Sequence, residues 1–249
     1  MEFAWIAAKR GHSVTVYEKE SRLGGQFALA SVPPTKQPIA GLLKHYLSMG
    51  KMYGVTYKCG EEVTLEMIKA ANPDAVVLAT GGCPIIPQID GVTNENVVTA
   101  LDILSGKKVA GKNVLIIGGG SVGVETADFL AENFRNVTIV EMRDEVAIDE
   151  PNYPKIFLME RLRKYGVNIL TGAMVTGILA NGITYKKCDE ELKMEGFDTI
   201  VLAVGIRSYN PLEESLKNLG FEVHVIGDAL KVGDAADAIL EGAQLGVKI

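Results

Sequence analysis

The residues whose types and spacing point most directly to chemistry are Gly118, Gly120 and Gly123. They close the run Asn113-Val-Leu-Ile-Ile-Gly-Gly-Gly-Ser-Val-Gly, in which an apolar strand leads straight into G-x-G-x-x-G and then into a helix. That order is the fingerprint of a dinucleotide site. Gly118 permits the tight turn from strand to helix. Gly120 has no Cβ, so the backbone can approach a pyrophosphate, and Gly123 lets helix and strand pack closely. The N–H groups around Ser121 and Val122, at the positive end of the helix dipole, would then face the phosphates. Glu141 ends the next strand about twenty residues further on, where an acid accepts hydrogen bonds from the adenosine ribose hydroxyls. The competing reading of the same run is a glycine-rich turn with no ligand.

A second set is less specific. Glu18 also ends a strand, and Gly24-Gly25-Gln26 follows it. By analogy Glu18 would hold the ribose of a second dinucleotide, or else be a solvated strand-end carboxylate. Gly227 and Asp228 follow another apolar strand, at the end where open α/β sheets bind ligands. Asp228 would accept from a ribityl hydroxyl, or simply cap a turn. Glu125, one turn into the helix after the glycines, would cap backbone donors or touch the dinucleotide. Arg143 would lie near the adenosine ribose, where Glu141 repels a 2′-phosphate.

Metal chemistry finds no support. His12, His45 and His224 share no metal spacing, and Cys59, Cys83 and Cys188 are far apart with no CxxC. A structural zinc, a dithiol centre or a cysteine-ligated iron–sulfur cluster cannot be built from them. If a dinucleotide bound at the glycine loop exchanges hydride, no side-chain acid or base is required, because the cofactors carry that chemistry.

The elements that must position these residues alternate. Strands are expected over 14–17, 55–58, 75–79, 113–117, 137–141, 167–171, 199–204 and 222–226. Helices are expected over 3–10, 39–53, 64–71, 122–134, 153–165 and 234–245. Such alternation predicts parallel sheets with helices on their faces. Asn181-Gly182 reads as a two-residue hairpin turn inside an antiparallel ribbon over 175–194. Residues 23–38, with three prolines, read as a loop. Crossovers are expected over 81–91 and 205–211. Val14-Thr-Val-Tyr-Glu18 echoes Val137-Thr-Ile-Val-Glu141, and Ala79-Thr-Gly81 echoes Ala203-Val-Gly205, as two copies of one βαβ plan would.

The 249 residues suffice for two domains, and 47% hydrophobic with 22% charged residues is globular composition. A net charge of −6 gives no basic stripe for nucleic acid. No apolar run approaches the roughly 20 residues of a membrane helix. No basic and then apolar leader follows Met1, and a cytoplasmic setting is expected.

Taken in order, the acid-ending strand, Leu23-Gly-Gly-Gln26, Ala79-Thr-Gly-Gly82, Gly118-Gly-Gly-Ser-Val-Gly-Val-Glu-Thr-Ala127, Ala203-Val-Gly205 and Val225-Ile-Gly-Asp-Ala229 resemble one family. It is the C-terminal half of the NADH:flavin oxidoreductases related to old yellow enzyme, of the 2,4-dienoyl-CoA reductase and enoate reductase type. The likeness extends to flavoproteins with two dinucleotide-binding domains and runs essentially end to end. It implies that Glu18, Gly25, Gln26, Gly82 and Asp228 lie along FAD, and that Gly118, Gly120, Gly123 and Glu141 hold NAD. It also implies a partner: in this family an N-terminal barrel carries FMN and an iron–sulfur cluster. That barrel, its cysteines, and the first strand and glycine loop of the FAD half are absent from this sequence, which therefore reads as a fragment or a truncated product.

The expected fold is α/β, with two Rossmann-like domains. An FAD-binding domain over 1–83 and 209–249 lacks its first strand, and an NAD-binding domain over 84–208 is inserted in it. The expected role is to pass hydride from NADH to FAD and electrons on to the FMN and iron–sulfur partner. Two rivals are an NADH-binding module without flavin turnover and a pyridine nucleotide–disulfide reductase. The second needs a reactive cysteine pair, for which Cys59 and Cys83 are not spaced.

Overall fold

The computed structural model describes residues 1–249. The chain divides into two compact units: residues 1–31, 37–83 and 206–249 form the first, and residues 32–36 and 84–205 the second. The short stretch 32–36, expected to stay in the loop of the first unit, lies with the second.

The first unit begins with α1 (Glu2–Lys9), β1 (Thr15–Glu18), α2 (Gly25–Leu29), α3 (Ile39–Met52), β2 (Thr56–Cys59), α4 (Leu65–Ala71), β3 (Ala75–Leu78) and β4 (Gly82–Pro84). The second unit holds β5 (Val97–Thr99), α5 (Ala100–Leu104), β6 (Asn113–Ile117), α6 (Ser121–Glu132), β7 (Asn136–Val140), α7 (Asn152–Lys164), β8 (Asn168–Leu170), β9 (Met174–Leu179), β10 (Gly182–Lys187), β11 (Glu190–Glu195) and β12 (Thr199–Leu202). The chain then returns to the first unit with β13 (Ile206–Ser208), α8 (Glu213–Asn218), β14 (Glu222–Val225), a single 3₁₀ turn at Gly227–Ala229 and α9 (Ala235–Lys248).

The second unit is built on a five-stranded sheet of order β5-β12-β6-β7-β8, parallel throughout. Strand β6 is its centre, and the side-chain period of two sorts its residues onto two cores. Val114 and Ile116 face Val124, Ala127 and Leu130 of α6, Ile103 of α5 and Leu162 of α7. Leu115 and Ile117 face Ile178, Ile183 and Tyr185 of the antiparallel β9-β10-β11 ribbon. Helices therefore cover one face only; on the other the ribbon replaces the helices that the strand–helix alternation predicts. A sheet covered on both faces needs near-continuous apolar strands, which the Val-Leu-Ile-Ile run of β6 supplies.

The ribbon differs from the expected hairpin by one residue. Gly182 pairs with Leu179 and Glu195, so the two-residue turn is Ala180-Asn181 and Gly182 belongs to the strand. A Cβ on Gly182 would overlap the Met194 carbonyl oxygen, so the glycine serves close strand approach instead of the turn.

In the first unit the strands fall into two parallel pairs, β1-β2 and β14-β3, and β4 pairs with β13. Ile68 of α4 and Leu216 of α8 pack with Leu78, Val76, Val223 and Val225 of the β14-β3 pair. Helix α1 packs on α9, its Ala4 and Ala7 buried. Gly242 and Gly246 of α9 make this possible: a Cβ at Gly246 would lie 2.9 Å from the Ile6 side chain, and one at Gly242 would lie 3.2 Å from the Phe3 nitrogen. Helix α2 occupies part of the segment expected to be loop. Gly24, left-handed at φ 115°, starts it, and it ends before the prolines. No helix is long and apolar enough to cross a membrane.

Candidate functional site

In the second unit, β6 leads outward to β7 and β8 on one side, whereas β12 and β5 lie on the other. The loop after β6 thus sits where the strand order reverses, the place where open parallel sheets bind ligands. Gly118 has φ 106°, a left-handed conformation that only glycine adopts readily, and a Cβ there would overlap the Ala203 carbonyl oxygen beyond β12. A Cβ on Gly123 would overlap the carbonyl oxygen of Gly118, so that glycine seats α6 against the loop. Gly120 differs from both. Its φ of −69° suits any residue, and a Cβ on it would meet only Asp149 Oδ2, at 3.4 Å. The fold consumes the space at Gly118 and Gly123 and leaves it open at Gly120. No side chain caps α6, so the first-turn N–H groups, including those of Ser121 and Val122, point from the helix end into that space. An open face over unpaired N–H groups fits a pyrophosphate.

Glu141, only 7% exposed, is engaged with the loop itself. Its Oε2 accepts from the Gly119 N–H at 2.6 Å and its Oε1 accepts from the Arg143 N–H at 2.8 Å. The Gly119 carbonyl in turn accepts from the Ala147 N–H at 2.7 Å. The Gly119 peptide groups are held on both sides, and the carboxylate clamps the glycine loop. Each of its oxygens keeps a second lone-pair position for a further donor.

Glu125 does not cap backbone donors. It forms an ion pair with Lys36, the side chain of Glu125 being 12% exposed. Burial pushes its carboxyl above the usual range, and Glu150 beside it adds to the effect, against the pull of Lys36. Burial would lower the Lys36 ammonium, but Glu125 and Glu150 together outweigh it and hold it above its ordinary value. One turn along α6, Asp128 accepts from Arg161 Nε of α7 at 2.8 Å. Burial raises the Asp128 carboxyl, with Arg161 opposing. These groups line a cavity of about 500 Å³ walled by Pro33, Pro154 and Phe157. The pairings were invisible in sequence, because residue 36 stands far from 125 along the chain.

In the first unit, Gln26 Nε2 donates to the Gly82 carbonyl at 3.2 Å, which joins two of the expected residues. Gly25 opens α2 at φ 48°, and nothing lies within 4 Å of where its Cβ would be. At Gly82 that position is filled by Ile206, with the Arg207 carbonyl oxygen at 2.9 Å, so Gly82 has only backbone to offer a ligand. Glu18 and Asp228 each bond within their own loops: Glu18 accepts from the Glu20 N–H at 2.9 Å, and Asp228 from the Gly233 N–H at 3.2 Å. Gly227, left-handed at φ 61°, sets the turn that carries Asp228. Its N–H donates to Glu241 of α9 at 2.6 Å, a contact with no local sequence signal. Cys59, Cys83 and Cys188 are free thiols.

Two units, a glycine loop at a sheet reversal and a second glycine–acid turn at a strand end agree with what comparison with known proteins finds. The family pattern of the pyridine nucleotide-disulphide oxidoreductases matches residues 1–230. The chain belongs to this family. It is 39% identical to an NADH oxidase of Thermoanaerobacter brockii, across 100% of this chain and 39% of that protein. It is 37% identical to a bilirubin reductase of Mediterraneibacter gnavus, across 97% of this chain and 38% of that protein. Among solved structures, a 2-naphthoyl-CoA reductase in complex with 2-naphthoyl-CoA superimposes with a TM-score of 0.95 at 31% identity, covering 100% of this chain and 38% of that one. The chain spans less than two fifths of the length of each. The α/β, Rossmann-like fold and the membership in an NAD(P)H-dependent flavin oxidoreductase family stand on these matches, as does the resemblance to the FAD/NAD half of enoate-reductase-type proteins. The family binds FAD and NAD(P)H.

Proposed function

We propose that this chain is the electron-input module of an NADH:flavin oxidoreductase, with NADH held by the second unit and FAD by the first. The observation that carries the reading is the division of labour in the glycine loop. Gly118 and Gly123 have no space for a side chain, whereas Gly120 faces an open space lined by helix N–H groups. A structural turn without a ligand has no need of that third glycine. Ser121 and Val122 would donate to the pyrophosphate, and the spare lone pairs of Glu141 would accept from the adenosine ribose. Along FAD would lie Glu18, Gly25, Gln26, Gly82, Gly227 and Asp228.

When bound, the cofactors would supply the redox chemistry, a hydride from NADH and a proton together giving two-electron-reduced FAD. The chain's own residues bind and orient the two molecules. The acceptor of the electrons would be a partner domain of the FMN and iron–sulfur type, the class that the family resemblance implies. That relatives named as reductases are more than twice as long as this chain supports such a partner. The test is the visible spectrum of the purified chain with FAD, followed under anaerobic addition of NADH. Bleaching of the flavin band is expected, and unchanged absorbance with both nucleotides bound would overturn the reading.

One observation favours a second reading, an NADH-binding module without flavin. The second unit has a five-stranded sheet, but no sheet of the first unit has more than two strands. NADH binding with no uptake of FAD would decide for it.

A further inference from the structure

We propose that Glu241 is a positioning residue that aims the Gly227–Asp228 turn, and through it Asp228, at FAD. This rests on the reading above that Asp228 faces that cofactor. The turn depends on the left-handed Gly227 peptide, whose polar groups are both tied down. The Gly227 N–H donates to Glu241 Oε2 at 2.6 Å, and the Gly227 carbonyl accepts from Leu230 and Lys231 at 2.9 and 3.0 Å. Immediately before it, the Ile226 N–H donates to the Leu78 carbonyl at 3.0 Å, which fixes where the strand ends. A short hydrogen bond to an ionised carboxylate in a half-buried setting is the strongest of these contacts.

The acceptor is itself held. Glu241 precedes Gly242, and Gly242 and Gly246 lie against α1 where no Cβ fits comfortably. The close helix contact sets the height of α9 and hence the position of the carboxylate. Asp228, by contrast, has one longer bond of 3.2 Å to the exposed Gly233 N–H. A firmly held turn carrying a lightly held carboxylate is suited to hand that carboxylate to an incoming hydroxyl. Glu241 need not touch the ligand: it acts through the backbone.

The experiment is a titration of the purified chain with FAD, followed by flavin fluorescence, for wild type, Glu241→Ala, Glu241→Gln, Asp228→Ala and the Asp228→Ala/Glu241→Ala double variant. Glu241→Ala is expected to weaken FAD binding about tenfold, the usual scale for a lost charge-assisted bond. Glu241→Gln keeps an acceptor oxygen at the same reach and should recover to within about threefold of wild type. In the double variant the loss should be well short of the sum of the singles, because both act through one turn. NADH affinity, a property of the other unit, should not move. If Glu241→Ala does not fold, the glutamine variant decides, and a tenfold loss there overturns the proposal. Unchanged affinity in Glu241→Ala, or additive losses in the double variant, would also overturn it while leaving the proposed function standing. A wild-type chain that takes up no FAD overturns both together.

Discussion

Gly120 and Gly123 belong to one loop, yet the space around them predicts opposite phenotypes. Gly120→Val should leave the fold intact, since φ is −69° and the position is open, and should abolish dinucleotide binding by filling the pyrophosphate space. Gly123→Ala should instead unfold or loosen the second unit by about 1–3 kcal/mol, because the methyl meets the Gly118 carbonyl oxygen. Circular dichroism with NADH titration separates the two. If Gly120→Val binds NADH normally, the loop is only a turn. At Glu141, NADH is expected to bind about tenfold or more tightly than NADPH, a 2′-phosphate being repelled by the carboxylate. Competitive titration checks this, and equal affinities would turn attention to Arg143. The motif made the three glycines and the acid legible, since their spacing is local. The clamp on Gly119 was not, because it depends on how the β7 loop folds back.

At the scale of elements, each strand and helix expected from periodicity exists, with ends shifted by a few residues at most. The β6 run is legible because a doubly covered strand must be apolar throughout. Leu115→Ala, at a fully buried position, should cost about 2–5 kcal/mol in a urea melt. The elements missed are short: α2, α5, α8 and the small strands carry too few residues for a period. For α5 a signal existed, since Thr99-Ala-Leu-Asp102 is a capping box and forms one. Between α6 and the 32–36 segment, Glu125 yields a pH prediction. Its carboxyl is pushed above the ordinary 4.5, so the folded chain holds that proton more firmly than the unfolded one. Its contribution to stability is greatest below that value and falls as pH rises through the raised one. The thermal advantage of wild type over Glu125→Gln should therefore shrink as pH rises above 4.5. An advantage that grows as pH rises would refute the assignment.

At the scale of the molecule, the two units differ in how their strands are secured. Central β6 bonds on both sides beneath two cores, whereas each strand of the β1-β2 and β14-β3 pairs bonds on one side. Two-stranded sheets are weak on their own. Amides of β6, β7 and β12 should exchange with deuterium slowest, and those of β1 and β2 much sooner. Uniform protection would contradict this. The inserted arrangement was suggested in sequence by the repeated acid-ending strands and the two crossovers. That residues 32–36 lie with the second unit was not, because nothing in Pro-Pro-Thr-Lys announces its partners.

The fit of α1 into the glycine notch of α9 ties together pieces made at opposite times. As the chain leaves the ribosome, residues 84–205 are complete while α9 is still unmade, and α1 waits without the surface it covers. The second unit can thus close during synthesis, but the first must remain open until Gly242 and Gly246 emerge. A ribosome stalled once residue 205 has cleared its exit tunnel should therefore display a protease-resistant second unit beside a cleavable α1, and release of the chain with α9 should protect both.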